Sequence, residues 1–122
     1  MDNNIQDFKK LLNNKRNQKI FIITGKKSFN LSGANKIIAP ILKNFNFKFF
    51  FKTKYFPSFT ELKKIISELK IYKPTLIVAI GGGCVLDYAK IANFLVFSKN
   101  LKNEIKKGSY SSKNKFCELV AI

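Results

Sequence analysis

The chain has 122 residues, of which 46% are hydrophobic, and this supplies material for a single compact domain with one core. No apolar run approaches the roughly 20 residues that a membrane-spanning helix requires, and the polar start lacks the apolar segment of a secretory signal, so we expect a cytoplasmic protein without a membrane partner. Because the sequence contains no histidine, a histidine-based catalytic triad is excluded and a zinc site within the chain is disfavoured.

The formal net charge is +16, since 23 lysines and arginines face 7 acidic residues. Such a charge attracts nucleic acid and other polyanions whatever the fold, so a basic polyanion-binding module is one alternative function. The lysines are spread along the whole chain, however, and Arg16 is the only arginine, whereas base recognition favours the arginine fork. Nucleic acid is therefore not the expected partner, and a coding bias toward Lys, Asn, Ile and Phe accounts for the composition.

Short apolar runs alternate with longer segments of helical period, which predicts βα units around a parallel sheet. Residues 5–12 have the spacing of a short amphipathic helix. The apolar run 20–24 predicts a strand that is buried on both faces and ends at Gly25. A helix over 32–43 follows, in which Pro40 should cause a kink or a division into two pieces. Its predicted apolar side comprises Ile37, Ile38, Ile41 and Leu42.

The next segment, 47–53, predicts a second strand, and 61–72 predicts a helix capped by Thr60. Residues 75–80 form the clearest strand pattern of the chain, and three glycines follow it directly. A helical pattern then runs over 84–97.

Residues 99–114 are polar and predict a loop with one short helical piece, and 116–122 begins a further strand. The predicted fold class is therefore α/β, an open Rossmann-like parallel sheet of about four strands with helices on both faces. Crossovers in such sheets are right-handed in nearly all cases. We expect one domain over residues 1–122.

The informative turn carries Gly81, Gly82 and Gly83 between a predicted strand and a predicted helix. Glycines let the backbone approach a ligand closely, and a helix start offers free N–H groups and a positive dipole end to a phosphate. These residues predict a pyrophosphate site, with a tight turn of purely structural importance as the alternative.

The segment from Gly81 to Lys90, GGGCVLDYAK, resembles the GGGSxxDxAK motif of the iron-containing alcohol dehydrogenases, a superfamily that includes glycerol dehydrogenase and dehydroquinate synthase. Residues 23–36, ITGKKSFNLSGANK, resemble the family's first strand, turn and helix, and 56–64, FPSFTELKK, resemble its PNPT segment. The likeness covers roughly 19–122. It implies the N-terminal dinucleotide-binding domain of an NAD(P)-dependent alcohol dehydrogenase or aldehyde reductase. A polyol-phosphate dehydrogenase or a dehydroquinate-synthase-like fragment is the alternative within the superfamily.

Carried onto this sequence, the resemblance implies that Gly81, Gly82 and Gly83 cradle the cofactor pyrophosphate. Cys84 replaces the family's usual serine, so its side chain would bond more weakly while its backbone N–H stays available. Asp87 matches the motif aspartate near the cofactor and the catalytic cleft. Lys90 matches the motif lysine. For these last two residues the alternative is an exposed pair on a helix surface.

Dinucleotide folds commonly place an acid at the end of the second strand, where it binds the adenosine ribose. The segment 51–55 has no carboxylate, and Thr53 stands about where family members that prefer NAD carry aspartate. Lysines on both sides of Thr53 would accept a 2′-phosphate. We therefore expect NADP in preference to NAD as the cofactor, with Thr53 in its site.

The resemblance also implies a metal, Fe²⁺ or Zn²⁺, held by an aspartate and histidines of a C-terminal helical domain. The family's second phosphate-binding stretch, PTTAGTGSE, follows a strand that ends like residues 119–122, and this sequence ends at that junction. The expectation is a truncated domain that is inactive alone. The intact enzyme would act on a small alcohol or aldehyde and form a homo-oligomer.

Overall fold

The structure, a computed structural model, describes residues 6, 9, 10, 12, 19–25, 29, 33–43, 45–54, 57–96 and 116–122. Strands and helices alternate in the order β1 (Lys19–Gly25), α1 (Ala34–Leu42), β2 (Asn46–Lys52), α2 (Phe59–Tyr72), β3 (Leu76–Ile80), α3 (Gly83–Leu95) and β4 (Glu118–Ala121). All four strands pair in parallel in the order β2-β1-β3-β4. The predicted open Rossmann-like α/β sheet is confirmed.

Helices cover both faces of the sheet, as predicted. On one face α2 and α3 pack against Phe21 and Ile23 of β1 and Ile77 of β3. On the other face α1 packs against Ile20 and Ile22 of β1. Because successive side chains of a strand point to opposite faces, an apolar run without alternation is what a strand between two helical layers requires.

The order of the strands places a change of direction between β1 and β3, since the chain adds β2 on one side of β1 and later β3 on the other. In open α/β sheets, ligands bind in the crevice outside the carboxyl ends of the strands at such a point. The two strand ends are tied together there, because the Thr24 hydroxyl, which is fully buried, donates a 2.7 Å hydrogen bond to the Ile80 carbonyl.

The start of α2 differs from the prediction. Ser58, and not Thr60, caps this helix: Ser58 has an extended backbone (φ −118°, ψ 134°), and its hydroxyl accepts a 3.4 Å hydrogen bond from the Glu61 N–H. Thr60 lies inside the first turn and is exposed, so the prediction that Thr60 caps this helix is wrong. At the other end, Lys73 adopts a left-handed conformation (φ 53°) that ends the helix, at the residue before Pro74.

Helix α1 is continuous through Pro40, so the chain does not form two shorter pieces. Because proline has no backbone N–H, the helical hydrogen bond from residue 40 to the Lys36 carbonyl is missing from the last turn of α1. Ile38 and Leu42 are buried against the sheet, whereas Ile37, predicted on the apolar side, is 42% exposed. The predicted helix over 5–12 is described only at residues 6, 9, 10 and 12, which are helical, whereas the predicted loop over 99–114 lies outside the described residues.

Candidate functional site

The turn between β3 and α3 contains three glycines, and the structural reason for glycine differs between Gly81 and the other two. Gly81 has φ +137°, a conformation that L side chains rarely adopt, and a Cβ added there would lie 3.2 Å from Val85 Cγ2. The fold itself therefore requires glycine at Gly81. A Cβ added at Gly82 or Gly83 would meet nothing within 4 Å, so these two residues face open space that larger side chains would begin to fill.

A cavity of about 290 Å³ lies at this turn. Its lining residues are Gly25, Lys52, Gly81, Gly82, Gly83, Cys84 and Val85. The carboxyl ends of three strands thus meet at the cavity, because Gly25 ends β1, Lys52 ends β2 and Gly81 follows β3. The cavity sits where the strand order predicts a ligand crevice.

The charge of this cavity suits an anion. Helix α3 begins at Gly83, and its N-cap residue Gly82 makes no side-chain cap hydrogen bond in the described structure, so the first N–H groups and the positive end of the helix dipole are available. Lys52 adds an ammonium group to the lining, and its Nζ also donates a 3.1 Å hydrogen bond to the Lys54 carbonyl. Free N–H groups with a nearby cation are what a bound phosphate requires.

The end of β4 lies beside the glycine turn. The Ile122 N–H donates to the Ala79 carbonyl at 2.8 Å, and the Gly81 N–H points at the Ile122 carbonyl at 3.5 Å. Asn93 of α3 anchors the start of this strand, since its side-chain amide both donates to the Cys117 carbonyl and accepts from the Cys117 N–H. The turn is therefore supported on two sides, by β1 and by β4.

The remaining predicted residues of the GGGCVLDYAK motif are placed differently. Cys84 lines the cavity with its Sγ 3.9 Å from the Lys54 carbonyl, and burial raises the pKa of its thiol, which keeps it protonated at neutral pH. Asp87 and Lys90 are exposed on α3 and do not line the cavity. The two side chains, both within the described part of the chain, make no ion pair with each other.

Thr53 lies at the carboxyl end of β2, and a carboxylate stands beside it after all. Glu61, from the first turn of α2, accepts hydrogen bonds on Oε2 from the Thr53 N–H at 2.8 Å and from the Thr53 hydroxyl at 2.9 Å. The segment 51–55 itself contains no carboxylate, but the fold brings Glu61 of the following helix beside Thr53. An acid in the first turn of the following helix was the available signal.

Two further findings concern metal binding and membrane crossing by the described residues. No group of three or more His, Cys, Asp or Glu side chains among them could hold a metal ion. None of the described helices has the length and apolar character needed to cross a membrane.

The fold and the site together define a class of protein, an α/β domain with a glycine turn and a cavity at the change of strand direction, which is the arrangement of dinucleotide-binding domains. A family model described as iron-containing alcohol dehydrogenase matches residues 2–122. The chain belongs to the iron-containing alcohol dehydrogenase family.

Individual relatives agree. The chain is 34% identical over 89 residues to the long-chain primary alcohol dehydrogenase AdhA of Thermoanaerobacter ethanolicus, a match that covers 70% of this chain and 22% of that protein. Its fold is similar to that of the aldehyde reductase YqhD from E. coli, with a TM-score of 0.79, 20% identity, and coverage of 93% of this chain and 31% of YqhD.

The fold is also similar to that of the sulfoacetaldehyde reductase from Bifidobacterium kashiwanohense, solved in complex with NAD⁺. That likeness has a TM-score of 0.76 and 17% identity, and it covers 96% of this chain and 31% of the reductase. The chain thus spans less than a third of the length of each of these three proteins.

Proposed function

We propose that residues 1–122 are the dinucleotide-binding domain of an NAD(P)-dependent, metal-dependent alcohol dehydrogenase or aldehyde reductase. The observation that carries the proposal is the cavity at the start of α3, where Gly82 and Gly83 leave open space beside free N–H groups and the ammonium of Lys52. Membership of the family supports the same function. The NAD⁺ complex of the sulfoacetaldehyde reductase supports a dinucleotide as the ligand.

In this proposal the backbone N–H groups of Gly82, Gly83 and Cys84 bind the cofactor diphosphate, and Lys52 offsets its charge. Asp87, one turn further along α3, faces the cleft in which the nicotinamide and the substrate meet. A divalent metal, Fe²⁺ or Zn²⁺, supplies polarisation of the substrate oxygen when it is bound. Because the chain has no histidine, we place that metal in a longer, homo-oligomeric protein and expect this chain alone to be inactive.

We further propose that the cofactor is NADP in preference to NAD. Lys52 and Lys54 flank Thr53, and both ammonium groups are within the same short segment at the end of β2. The Glu61 carboxylate does not oppose this preference strongly, since it is 6% exposed and its oxygens already accept hydrogen bonds. A 2′-phosphate at this end would meet net positive charge.

Titration of the chain with NADPH and NADH tests the proposal. We expect NADPH to bind more tightly than NADH, and the double substitution Gly82→Val, Gly83→Val to weaken both by about 100-fold or more, since side chains would occupy the space of the diphosphate. Ser67→Val, which places a valine on the exposed surface of α2 away from the cavity, serves as the control and should leave binding unchanged.

Equal affinity of the glycine variant and the wild-type chain would overturn the proposal. Binding to DNA that depends on salt and is insensitive to added dinucleotide would favour the polyanion-binding module in its place.

A further inference from the structure

The corner between β2 and α2 contains a buried carboxylate that the diphosphate site does not use. Glu61 is 6% exposed. Its Oε2 accepts from the Thr53 N–H and hydroxyl at 2.8 and 2.9 Å, and its Oε1 accepts from the Lys54 N–H at 3.4 Å. Burial raises the pKa of Glu61, but these hydrogen bonds together with one from Tyr88 outweigh it and hold the pKa below 4.5. The carboxylate is therefore ionised at neutral pH.

The same carboxylate is linked to the helix that begins at the glycine turn. Tyr88 of α3 is 1% exposed, its hydroxyl hydrogen-bonds to Glu61, and its oxygen accepts a 2.7 Å hydrogen bond from the Ser58 N–H. Burial raises the pKa of Tyr88 to about 12, so the phenol stays protonated at neutral pH and can donate a hydrogen bond to Glu61. The network ties both ends of the β2–α2 corner, Thr53 and Ser58, to one residue of α3.

The hydrogen bond between the Thr53 hydroxyl and Glu61 Oε2 can have only one direction. An ionised carboxylate can only accept hydrogen bonds, so the Thr53 hydroxyl must use its single proton to donate a hydrogen bond to Glu61 Oε2. The hydroxyl oxygen then presents only lone pairs to its exposed side. Thr53 follows Lys52, which lines the cavity, and it is itself exposed. An outer ligand at this oxygen must be a hydrogen-bond donor.

We propose that Glu61 is a positioning residue that fixes the Thr53 hydroxyl as an acceptor for the adenosine ribose of the cofactor, at its 3′-hydroxyl, which NADP and NAD both have. The Thr53–Glu61 pair thereby replaces a single acidic residue at the end of β2, with the negative charge set back behind a neutral oxygen. This arrangement accepts a ribose hydroxyl without placing a bare carboxylate where a 2′-phosphate would lie. The inference rests on the proposed function, because it presumes that the diphosphate lies at the glycine turn.

Three probes separate the parts of the ligand: 5′-ADP, 2′,3′-dideoxy-ADP, which lacks both ribose hydroxyls, and inorganic pyrophosphate. We expect the wild-type chain to bind ADP about tenfold more tightly than dideoxy-ADP. In Thr53→Val, which loses the hydroxyl, and in Glu61→Gln, which loses the charge and exchanges one acceptor oxygen for an NH2 donor, that ratio should fall toward one. Pyrophosphate affinity should stay within about twofold of wild type in both.

The matched control is Glu68→Gln, on the same helix, which removes a carboxylate that forms a 3.0 Å surface ion pair with Lys48. Its ratio should equal that of the wild-type chain. The double variant Thr53→Val, Glu61→Gln adds a test that a merely structural role would not pass. If both residues act through one hydrogen bond, the double variant should have the ADP affinity of Thr53→Val alone.

Several outcomes would overturn the inference while sparing the diphosphate site. One is a wild-type chain that binds pyrophosphate yet does not distinguish ADP from dideoxy-ADP. Another is Glu61→Gln lowering affinity for all three probes equally, which would give Glu61 a structural role only. Thr53→Val with an unchanged ratio would overturn it as well, and this arm remains decisive if Glu61→Gln fails to fold. A wild-type chain that binds neither ADP nor pyrophosphate would instead defeat the proposed function.

Discussion

The glycine turn and the β2–α2 corner lie at the same edge of the sheet but are built in opposite ways. The turn is made of backbone from consecutive residues, Gly81 to Gly83, and it offers N–H donors to a ligand. The corner is made of side chains from three elements, Thr53, Glu61 and Tyr88, and it offers an acceptor oxygen. A charged diphosphate fits the first and a ribose hydroxyl fits the second, so the two regions suit the two chemically different parts of one ligand.

The largest expected effect on stability comes from substitutions at the glycines of the turn. Gly81→Val should lower the free energy of unfolding by about 2 to 3 kcal/mol, because a β-branched side chain would have to adopt φ +137° with its Cβ 3.2 Å from Val85 Cγ2. Gly82→Ala should cost less than about 1 kcal/mol, because its Cβ meets nothing within 4 Å. Urea unfolding followed by circular dichroism measures both. Equal losses would mean that the turn has one structural role throughout.

The corner can be tested through the pH dependence of its buried carboxylate. Glu61→Gln should lower the free energy of unfolding by about 1 to 3 kcal/mol at pH 7, since a charged acceptor of several buried hydrogen bonds is lost. The pKa of Glu61 is lowered in the folded chain, so its contribution is present above pH 4.5 and is lost as the pH falls through the folded pKa. Wild type and variant should therefore converge as the pH falls below the folded pKa of Glu61. A stability difference that does not change with pH would contradict an ionised Glu61.

The smallest expected effect concerns the cap of α2, which holds the corner at its second end. Ser58→Ala should lower the free energy of unfolding by about 0.5 to 1 kcal/mol, toward the lower end for a cap because the hydrogen bond to the Glu61 N–H is 3.4 Å long. Thr60→Ala, at an exposed position within the first turn, should change it by less than about 0.3 kcal/mol. Thermal unfolding of the two alanine variants compares them directly. A larger loss for Thr60→Ala would restore Thr60 as the cap.

The two regions also differ in how far the sequence predicts them. The strands β1 and β3 and the glycine turn follow from local patterns, since an apolar run buried on both faces and the glycines after it are consecutive in the chain. The cavity at the turn could be predicted because parallel strands bring their carboxyl ends to one edge. Here local sequence and tertiary structure agree.

The corner could not be predicted in the same way. The contact of Ser58 with Tyr88 joins residues 30 positions apart, and only the packing of α2 beside α3 brings them together. The choice of Ser58 over Thr60 as the cap depends on which residue has the extended backbone, and both residue types suit the position. The exposure of Ile37 has a similar origin, because a small rotation of α1 decides which isoleucines face the sheet.

The central claim is that a diphosphate binds to the bare backbone at the start of α3. Titration of the isotope-labelled chain with pyrophosphate, followed by the amide signals in NMR spectra, tests it most directly. The account predicts saturable shifts of the Gly82, Gly83 and Cys84 amides, while the amide of Lys70 at the far end of α2 stays in place. Shifts that spread over the lysine-bearing surface without saturation, and that spare these three amides, would contradict it.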